Sequence, residues 1–517
     1  MKVTIDGREL EVENGTTILQ AAQKLGVDIP TFCYHPGLSA PANCRMCLVN
    51  TNKAPKLLPA CYATCMDGME VKTNDEKTLR TRKSTLEFIL LHHPVDCPIC
   101  DQAGECVLQD NYFAHSAQPS RNFTRKNHKP KATPIGNNVI LDAERCIVCT
   151  RCVRFCDEVS KTNELQVVNR GERSFVTTFP GRALDNDYAT NTVDICPVGA
   201  LTSRDFRFKM RVWFLKSASS ICSGCSKGCN ITVDHGGGNT QRYRPRENQA
   251  VNRWWMCDPG RLSYKQFQDN RLTDAQIDGV VHPVREALSA AARRLRSAGD
   301  PSKVAVVPSL LMSNEDAVAL AVLTKRAGFG GWYVGGRAAG KEDALLQKAD
   351  KNPNRAGVMA VAKAFGIETN PLTALATAGA SATLWFGHEH AVDPKVLAAV
   401  QQLSRVVVAS NASEWTAGAS VSLPSRTFEE CSGTWISVDG HLQRFAAGPE
   451  AKGASVAIWD LCFRLLRSLG VMDVMPPASP DQVVAEHGQA VPELASMPPA
   501  LPPAPGRPDQ LRKARAA

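Results

Sequence analysis

The sequence contains four groups of closely spaced cysteines, and a histidine completes one of them. That group, the histidine set, consists of His93, Cys97, Cys100 and Cys106. Three thiols this close, separated by turn-forming Pro, Asp and Gly, can surround one metal centre. An imidazole as fourth ligand raises the reduction potential of an iron–sulfur site relative to all-thiolate ligation. A structural zinc site is the alternative, and this stretch alone does not separate the two.

A second group has the spacing of bacterial ferredoxins. Cys146, Cys149 and Cys152 form a C-x2-C-x2-C triplet, and the distant Cys196 is followed by proline. In ferredoxins, the cysteine that follows such a triplet precedes proline and serves another cluster. Here Cys156 precedes aspartate, so we interpret it as a buried free thiol. The triplet and Cys196, together the ferredoxin-like set, predict one [4Fe–4S] cluster.

The first group along the chain, the [2Fe–2S] set, is spaced C-x10-C-x2-C-x13-C. Its members are Cys33, Cys44, Cys47 and Cys61. A plant-type [2Fe–2S] loop has a shorter first gap, C-x4-C-x2-C, and a distant fourth cysteine. Zinc is the alternative for this group also, and the neighbouring Cys65 is interpreted as a spare thiol.

The last group, the fourth set, is spaced C-x2-C-x3-C-x27-C and predicts a further [4Fe–4S] cluster. Its members are Cys222, Cys225, Cys229 and Cys257. Zinc ribbons can show similar spacing, but four sets with different iron–sulfur spacings favour iron over a zinc-bound structural scaffold. Several clusters without a catalytic constellation indicate a chain that transfers electrons.

Two elements are predicted ahead of the [2Fe–2S] set. Alternating apolar residues around Asp6 and Gly7 predict a β-hairpin. A short helix should follow, with Thr17 near its start and Gly26 at its stop. Hairpin, helix and ligand loop follow one another in the order of a plant-type ferredoxin.

A longer helix is predicted directly before the histidine set. Residues 79–92 place apolar side chains at helical spacing, and the helix should stop before Pro94. His93 then lies at the helix end and faces Cys97. We therefore assign His93 rather than His92 as the ligand, with a polar helix cap as the alternative.

The C-terminal half has the pattern of an α/β domain. Apolar runs at 303–307, 382–386 and 405–409 predict buried parallel strands, with Ala-rich helices between them, in a doubly wound sheet. The glycine-rich stretch 328–336 matches no nucleotide or phosphate loop. Residues 476–517 hold ten prolines and are interpreted as a disordered or extended tail.

Composition restricts the class of protein. The 60 Lys and Arg exceed the 51 Asp and Glu too slightly and diffusely to indicate nucleic-acid binding. No apolar run approaches the roughly 20 residues of a membrane span, so membrane contact is expected only through partners. The first residues lack the apolar region of a signal peptide, so we expect a reducing compartment. There, closely spaced cysteines act as metal ligands rather than disulfides.

Residues 1–262 resemble the family of large iron–sulfur subunits, called the G subunit in bacteria, of NADH:quinone oxidoreductase, which is respiratory complex I. That family has a [2Fe–2S] set, then a histidine-plus-three-cysteine [4Fe–4S] set, then all-cysteine [4Fe–4S] sets, in the order found here. Weaker similarity continues further, and residues 428–440 look like a late segment of molybdopterin oxidoreductases. The resemblance implies one [2Fe–2S] and three [4Fe–4S] clusters, the fourth set lying off the main path.

The resemblance also implies partners and a location. Such a subunit takes electrons from a flavin/NADH-binding subunit and passes them towards quinone, beside a small [2Fe–2S] subunit and quinone-side subunits of the peripheral arm. The NADH and quinone sites of this proton-translocating enzyme would lie on other subunits. The location implied is the cytoplasmic face of the bacterial inner membrane. Because the histidine set comes second in sequence, we expect its cluster to receive electrons from the flavin partner.

The implied fold class is an α+β iron–sulfur region followed by an α/β doubly wound domain that resembles a degenerate molybdopterin oxidoreductase. The first region would combine a β-grasp [2Fe–2S] ferredoxin-like domain with one-histidine/three-cysteine and ferredoxin-like [4Fe–4S] modules. The expected domains are 1–78 ([2Fe–2S]), 79–118 (histidine set), 119–215 (ferredoxin-like), 216–275 (fourth set), 276–475 (α/β) and 476–517 (Pro-rich tail).

Two departures from the related molybdenum enzymes argue against a working pterin site. Pro259 stands where a lysine often follows the last cluster ligand, and no cysteine between Cys257 and Cys431 could bind molybdenum. No molybdopterin is therefore expected. Electron-transfer subunits of NAD-linked hydrogenases and the large subunit of NAD-linked formate dehydrogenase share the N-terminal plan and are the alternatives.

Overall fold

The structure, a computed structural model, describes residues 1–116, 119–499 and 501 of the chain. These residues fall into two compact units, one of residues 1–215 and one that starts at Lys216. Within the described ranges, no helix is both long and apolar enough to cross a membrane. The first unit carries three of the ligand sets and the second carries the fourth set, so each unit is described by itself.

The first unit combines short strands with short helices. Its strands are β1 (Lys2–Ile5), β2 (Arg8–Glu11), β3 (Leu48–Thr51), β4 (Leu58–Pro59), β5 (Met69–Lys72), β6 (Thr133–Pro134), β7 (Val139–Leu141), β8 (Leu165–Val168), β9 (Phe175–Thr178) and β10 (Leu201–Ser203). Its helices are α1 (Ile18–Lys24), α2 (Glu76–Leu90), α3 (Val107–His115), α4 (Arg151–Glu158) and α5 (Asn191–Asp194).

The predicted N-terminal hairpin and helix are present. Strands β1 and β2 pair antiparallel around Gly7, whose φ of 81° is a conformation that glycine adopts without strain. They join a sheet of order β2-β1-β5-β3-β4. The Thr17 side chain accepts a hydrogen bond from the Gln20 N–H, and the Gln20 side chain bonds back to the Thr17 N–H. This capping box explains why the helix starts where the sequence predicts.

Helix α2 ends at Leu90, ahead of Pro94 as predicted, and begins three residues earlier than the predicted span. Its Leu86 is fully buried against Phe32, Leu108 and Val198. Because these partners come from separate parts of the first unit, one apolar cluster supports all three of its ligand loops.

The second unit contains longer helices and a larger sheet. Its strands are β11 (Lys216–Ile221), β12 (Asn230–Gly236), β13 (Asn239–Pro245), β14 (Ala275–Ile277), β15 (Val280–His282), β16 (Val304–Val307), β17 (Trp332–Val334), β18 (Thr369–Pro371), β19 (Ala382–Phe386), β20 (Ser404–Ala409), β21 (Val421–Pro424), β22 (Gly433–Ile436) and β23 (Leu442–Phe445). Its helices are α6 (Asp258–Leu262), α7 (Val284–Arg296), α8 (Asn314–Ala327), α9 (Arg355–Ala364), α10 (Pro394–Gln401), α11 (Ile458–Ser468) and α12 (Pro480–His487).

The large sheet has the order β15-β14-β21-β20-β19-β16-β17-β18, and its strands from β21 to β18 run parallel. The apolar runs at 303–307, 382–386 and 405–409 form β16, β19 and β20, three adjacent strands. Every residue of β16 and β19 is buried, which accounts for the unbroken apolar sequence. Starting from β16, the chain adds β17 and β18 on one side and then β19, β20 and β21 on the other side. The predicted doubly wound sheet is therefore confirmed.

The interpretation of residues 476–517 as a disordered or extended tail is wrong for its first part. Helix α12 begins at Pro480, where a missing N–H costs nothing, and the Ser479 side chain caps it by accepting from the Gln482 N–H. Val483 and Val484 are buried in the main core of the unit. Residues 500 and 502–517 lie outside the described residues.

Candidate metal centres

Strand pairing brings ligands of the [2Fe–2S] set together. Strand β3 starts directly after Cys47 and pairs with β4, which ends two residues before Cys61. The Ala60 N–H donates to the Cys47 carbonyl at 3.0 Å, and the Leu19 N–H of α1 donates to the Ala60 carbonyl at 2.9 Å. The helix predicted from the sequence therefore anchors the Cys61 loop.

The thiols of this set are close enough to interact. Cys33 contacts the thiols of Cys44 and Cys61, and Cys61 also contacts Cys47. Hydrogen bonding with Cys44 lowers the pKa of Cys33, and the same contact raises the pKa of Cys44 because the two buried thiols share one proton. Four thiolates can coexist here only beside a cation, which an iron–sulfur centre supplies.

The histidine set lies on the short segments between α2 and α3. The His93 N–H donates to the Leu90 carbonyl at 3.2 Å, which extends the last turn of α2. A 3-10 turn starts at Cys97, and the Cys100 N–H closes it on the Cys97 carbonyl at 3.1 Å. Cys106 is the N-cap residue of α3. All four predicted ligands thus lie on one continuous segment between α2 and α3.

Burial and hydrogen bonding distinguish His93 from His92. The Nδ1 atom of His93 is buried and has no hydrogen-bond partner among the described residues. Burial lowers the pKa of His93 to about 4, so its imidazole is neutral at pH 7, the form that binds metals. The Nδ1 atom of His92 instead accepts from the Asn127 N–H at 3.4 Å. A buried polar atom left unpaired costs about 1–3 kcal/mol, which ligation would remove.

We expect His93→Ala to remove the cluster of the histidine set and His92→Ala to leave it intact. The first substitution deletes a proposed ligand, whereas the second deletes only a backbone contact. Electron paramagnetic resonance of the purified protein, with iron analysis, measures both outcomes. Loss of the signal in His92→Ala alone would reverse the assignment, and its survival in both variants would mean a different fourth ligand.

The four thiols of the ferredoxin-like set line a single pocket, whose other walls include Leu141 and Val198. Burial raises the pKa of Cys146 to about 11 and that of Cys149 to about 12. Thiols buried this deeply ionise only when a metal centre replaces the proton. The thiols and mostly apolar walls of this pocket therefore suit an iron–sulfur cluster better than a polar ligand.

The triplet loop carries backbone strain. Val148 and Thr150 lie between its cysteines and adopt positive φ values of 51° and 63°, which β-branched residues rarely do. The Val148 N–H donates to the Cys146 sulfur at 3.4 Å. Strain of this kind is typical of loops shaped around a bound group.

The fourth set is formed by the loop between β11 and β12 together with α6. The Cys222 N–H donates to the Cys229 carbonyl at 2.8 Å and closes the loop. The Gly260 N–H donates to the Cys257 sulfur at 3.4 Å. A Cβ on Gly260 would lie 2.9 Å from the Cys222 sulfur and 3.1 Å from the Cys257 sulfur, so only glycine fits between these thiols.

The α/β part of the second unit holds the loop of the fourth set. Arg337 donates from Nη1 to the Ser223 carbonyl at 2.7 Å. The Ser226 N–H donates to the Asp350 carbonyl at 2.9 Å. The predicted division between residues 216–275 and 276–475 therefore crosses a network of direct contacts.

Within the first unit, the ferredoxin-like set lies beside both other sets. Arg154 of α4 donates to the Cys33 carbonyl of the [2Fe–2S] set. On the other side, Gly199 packs so closely on Cys100 of the histidine set that a Cβ would overlap the Cys100 sulfur. The ferredoxin-like set, which comes third in sequence, thus contacts both the first and the second set.

Four buried or half-buried cysteines are left over from the sets. They are Cys65, Cys156, Cys431 and Cys462. Burial raises the pKa of Cys156 to about 12, as expected for an inert packed thiol. In the described parts of the chain, no three His, Cys, Asp or Glu side chains meet the geometry of a site for one metal ion. The ligand assignments stay predictions from spacing, supported by burial and loop contacts.

Two glycines that matter for the sites were missed from sequence. Gly260 follows the last ligand by three residues, and Gly199 follows Cys196 by three. The available signal in the sequence was a glycine three residues after a ligand in each of the two sets. Their role became visible only from the sulfur atoms that approach them.

Comparisons with protein-family models match four consecutive segments. Residues 1–76 match a 2Fe-2S iron-sulfur cluster binding domain, and residues 82–121 match the NADH-ubiquinone oxidoreductase-G iron-sulfur binding region. Residues 136–202 match the ferredoxin-like domain of NADH-quinone oxidoreductase subunit 3, and residues 215–269 match the molybdopterin oxidoreductase Fe4S4 domain. These matches confirm the predicted fold class, including its likeness to molybdopterin oxidoreductases.

Several curated proteins are similar over most of the chain. The G subunit of NADH-quinone oxidoreductase from Rickettsia bellii is 38% identical over 338 residues, which cover 65% of this chain and 49% of that protein. The mitochondrial NADH dehydrogenase [ubiquinone] iron-sulfur protein 1 of Solanum tuberosum is 38% identical over 333 residues, 63% of this chain and 45% of that protein. The chain spans about half the length of the curated relatives it matches.

Among solved structures, an NAD+-reducing [NiFe]-hydrogenase in the H2-reduced state aligns with a TM-score of 0.38 and 29% identity. The alignment covers 41% of this chain and 90% of the hydrogenase chain.

Proposed function

We propose that this chain, which in its iron–sulfur region belongs to the family of NADH-quinone oxidoreductase G subunits, is an electron-transfer subunit of such an enzyme. It would relay electrons from NADH and flavin towards quinone. The observation that carries the proposal is the arrangement of four buried or half-buried ligand sets, three of them on one apolar cluster in a single compact unit.

The residues present fit one [2Fe–2S] and three [4Fe–4S] clusters. The [2Fe–2S] set would hold the first, and the histidine, ferredoxin-like and fourth sets would hold the others. Such clusters supply one-electron carriers whose potentials depend on ligand type, hydrogen bonds and burial. The chain contributes those determinants through the neutral His93 ring, the N–H groups directed at ligand sulfurs and the apolar walls of the pockets.

The contacts within the first unit support a middle position for the ferredoxin-like set. Its loops contact the Cys33 backbone on one side and Cys100 on the other. We therefore propose that electrons passing between the [2Fe–2S] and histidine sets use the ferredoxin-like set. This replaces the expectation from sequence order that electrons from the flavin partner enter at the histidine set.

The partners and location follow from the family. The chain would contact a flavin/NADH-binding subunit, a small [2Fe–2S] subunit and quinone-side subunits of the peripheral arm, at the cytoplasmic face of the bacterial inner membrane. The doubly wound part of the second unit would brace the fourth set rather than bind a pterin, since Pro259 replaces the lysine and Arg337 and Asp350 hold the ligand loop.

Metal analysis tests the proposed cofactors. The full-length chain, purified anaerobically without its partner subunits, should contain about 14 iron atoms and as many acid-labile sulfides. A Cys222→Ala/Cys225→Ala variant should lose about four of each, because it deletes two ligands of one [4Fe–4S] set. Cys431→Ala/Cys462→Ala is the matched control and should lose none. Stoichiometric zinc in place of iron would overturn the proposal in favour of a structural scaffold.

A further inference from the structure

Arg151 joins the backbones of two ligand loops. It is the first residue of α4 and lies between the ligands Cys149 and Cys152. Its Nη1 donates to the Ile195 carbonyl at 3.1 Å, directly before Cys196. Its Nη2 donates to the Tyr34 carbonyl, directly after Cys33. One guanidinium therefore contacts both the ferredoxin-like and the [2Fe–2S] loops.

The guanidinium is buried and charged. Burial lowers the pKa of Arg151, but attraction to Cys149, Cys196, Cys33 and Cys44 opposes this, and arginine stays protonated in proteins. These four thiols, two from each set, all lie within electrostatic reach of one cation. The Nε atom is buried and has no hydrogen-bond partner among the described residues. An anionic sulfur centre would supply the acceptor that this N–H lacks.

We propose that Arg151 is a positioning residue that raises the reduction potentials of both adjacent clusters and fixes their separation. The inference rests on the proposed function, because it requires clusters in both sets. Reduction adds negative charge to a cluster, so a fixed buried cation stabilises the reduced form of each. The two hydrogen bonds tie the Cys33 and Cys196 loops to one rigid group, so the distance between the sets is set by the guanidinium.

The next arginine along α4 provides a matched control. Arg154 donates to the carbonyls of Cys33 and Ser39 in the [2Fe–2S] loop and to the Thr150 hydroxyl on its own helix. The two carbonyl acceptors of Arg154 thus lie on one ligand loop, whereas the two carbonyl acceptors of Arg151 lie on different ligand loops. Separate substitution of the two arginines distinguishes an electrostatic effect on the clusters of two sets from structural support of one ligand loop.

The test is a redox titration of Arg151→Gln, Arg151→Lys and Arg154→Gln in the assembled complex, followed by electron paramagnetic resonance. In Arg151→Gln, the ratio of reduced to oxidised cluster at fixed potential should fall roughly tenfold at both sets, the order expected for removing a unit charge about 10 Å away. For a one-electron couple this is a downward shift of about 59 mV. The cluster of the histidine set should not shift. Arg151→Lys should restore both values, and Arg154→Gln should leave the ferredoxin-like value unchanged.

Iron and sulfide content separates failure of this inference from failure of the proposed function. Wild-type protein without iron would overturn the proposed function itself. If Arg151→Gln keeps its full iron content and the reduction potentials of its clusters are unchanged, only the proposed role of Arg151 is overturned. If Arg151→Gln and Arg151→Met both lose a cluster while Arg151→Lys keeps wild-type potentials, the charge serves assembly rather than potential, and the inference is also wrong.

Discussion

Gly199→Ala should abolish the cluster of the histidine set while leaving the backbone fold of the first unit intact. A Cβ at this position would overlap the sulfur of Cys100 and lie 3.0 Å from the Cβ of Gln102. The Cys100 side chain is short and buried, so its sulfur can move away only by leaving the ligand position. The φ of Gly199 is not in the positive range, so alanine adds no backbone strain and the whole effect is steric.

The measured result should be loss of about four iron atoms and of one [4Fe–4S] resonance signal. Gly448→Ala is the control, because its Cβ would meet only ordinary contacts at 3.5 Å. Thermal unfolding of both variants should stay close to wild type apart from the stability that the lost cluster provides. A Gly199→Ala protein with full iron and an unchanged signal would show that Cys100 is not a ligand or that the loop adapts.

The local elements that carry the ligands could be predicted from sequence. The hairpin around Gly7, the capped helix at Thr17 and the stop of α2 before Pro94 depend on residues within a few positions of one another. The buried strands β16, β19 and β20 were visible because a parallel strand covered on both faces is apolar throughout. These features need no knowledge of distant contacts.

The relation between the ligand sets could not be predicted in the same way. It depends on bonds such as Arg151 to Tyr34, which join residues 117 positions apart, and on the packing of Gly199 against Cys100. Nothing in spacing or periodicity encodes these pairings. The tail shows a related failure: its proline content predicts disorder, although Pro480 occupies a helix start and Val483 and Val484 pack in the core.

If the chain has the proposed function, Cys149→Ser should interrupt electron transfer from NADH to quinone almost completely. Serine is a poor ligand for iron, so the cluster of the ferredoxin-like set should be lost. If this set lies between the other two, as the contacts of Arg154 with Cys33 and of Gly199 with Cys100 support, NADH should reduce the cluster on one side of the gap and not on the other. Oxidation of NADH by an artificial acceptor should persist, because the proposed flavin partner is untouched.

Freeze-quench electron paramagnetic resonance after mixing with NADH measures this division, and Cys156→Ser is the matched control. It makes the same chemical change seven residues further along the chain, on α4, at a fully buried thiol that is left over from the ligand sets. Electron flow should therefore survive in it. The sequence order puts the ferredoxin-like set after the histidine set, and on that order Cys149→Ser would leave both remaining clusters of the first unit reducible by NADH. That outcome would contradict the middle position, because loss of the last cluster in a series of carriers still lets electrons reach every earlier cluster.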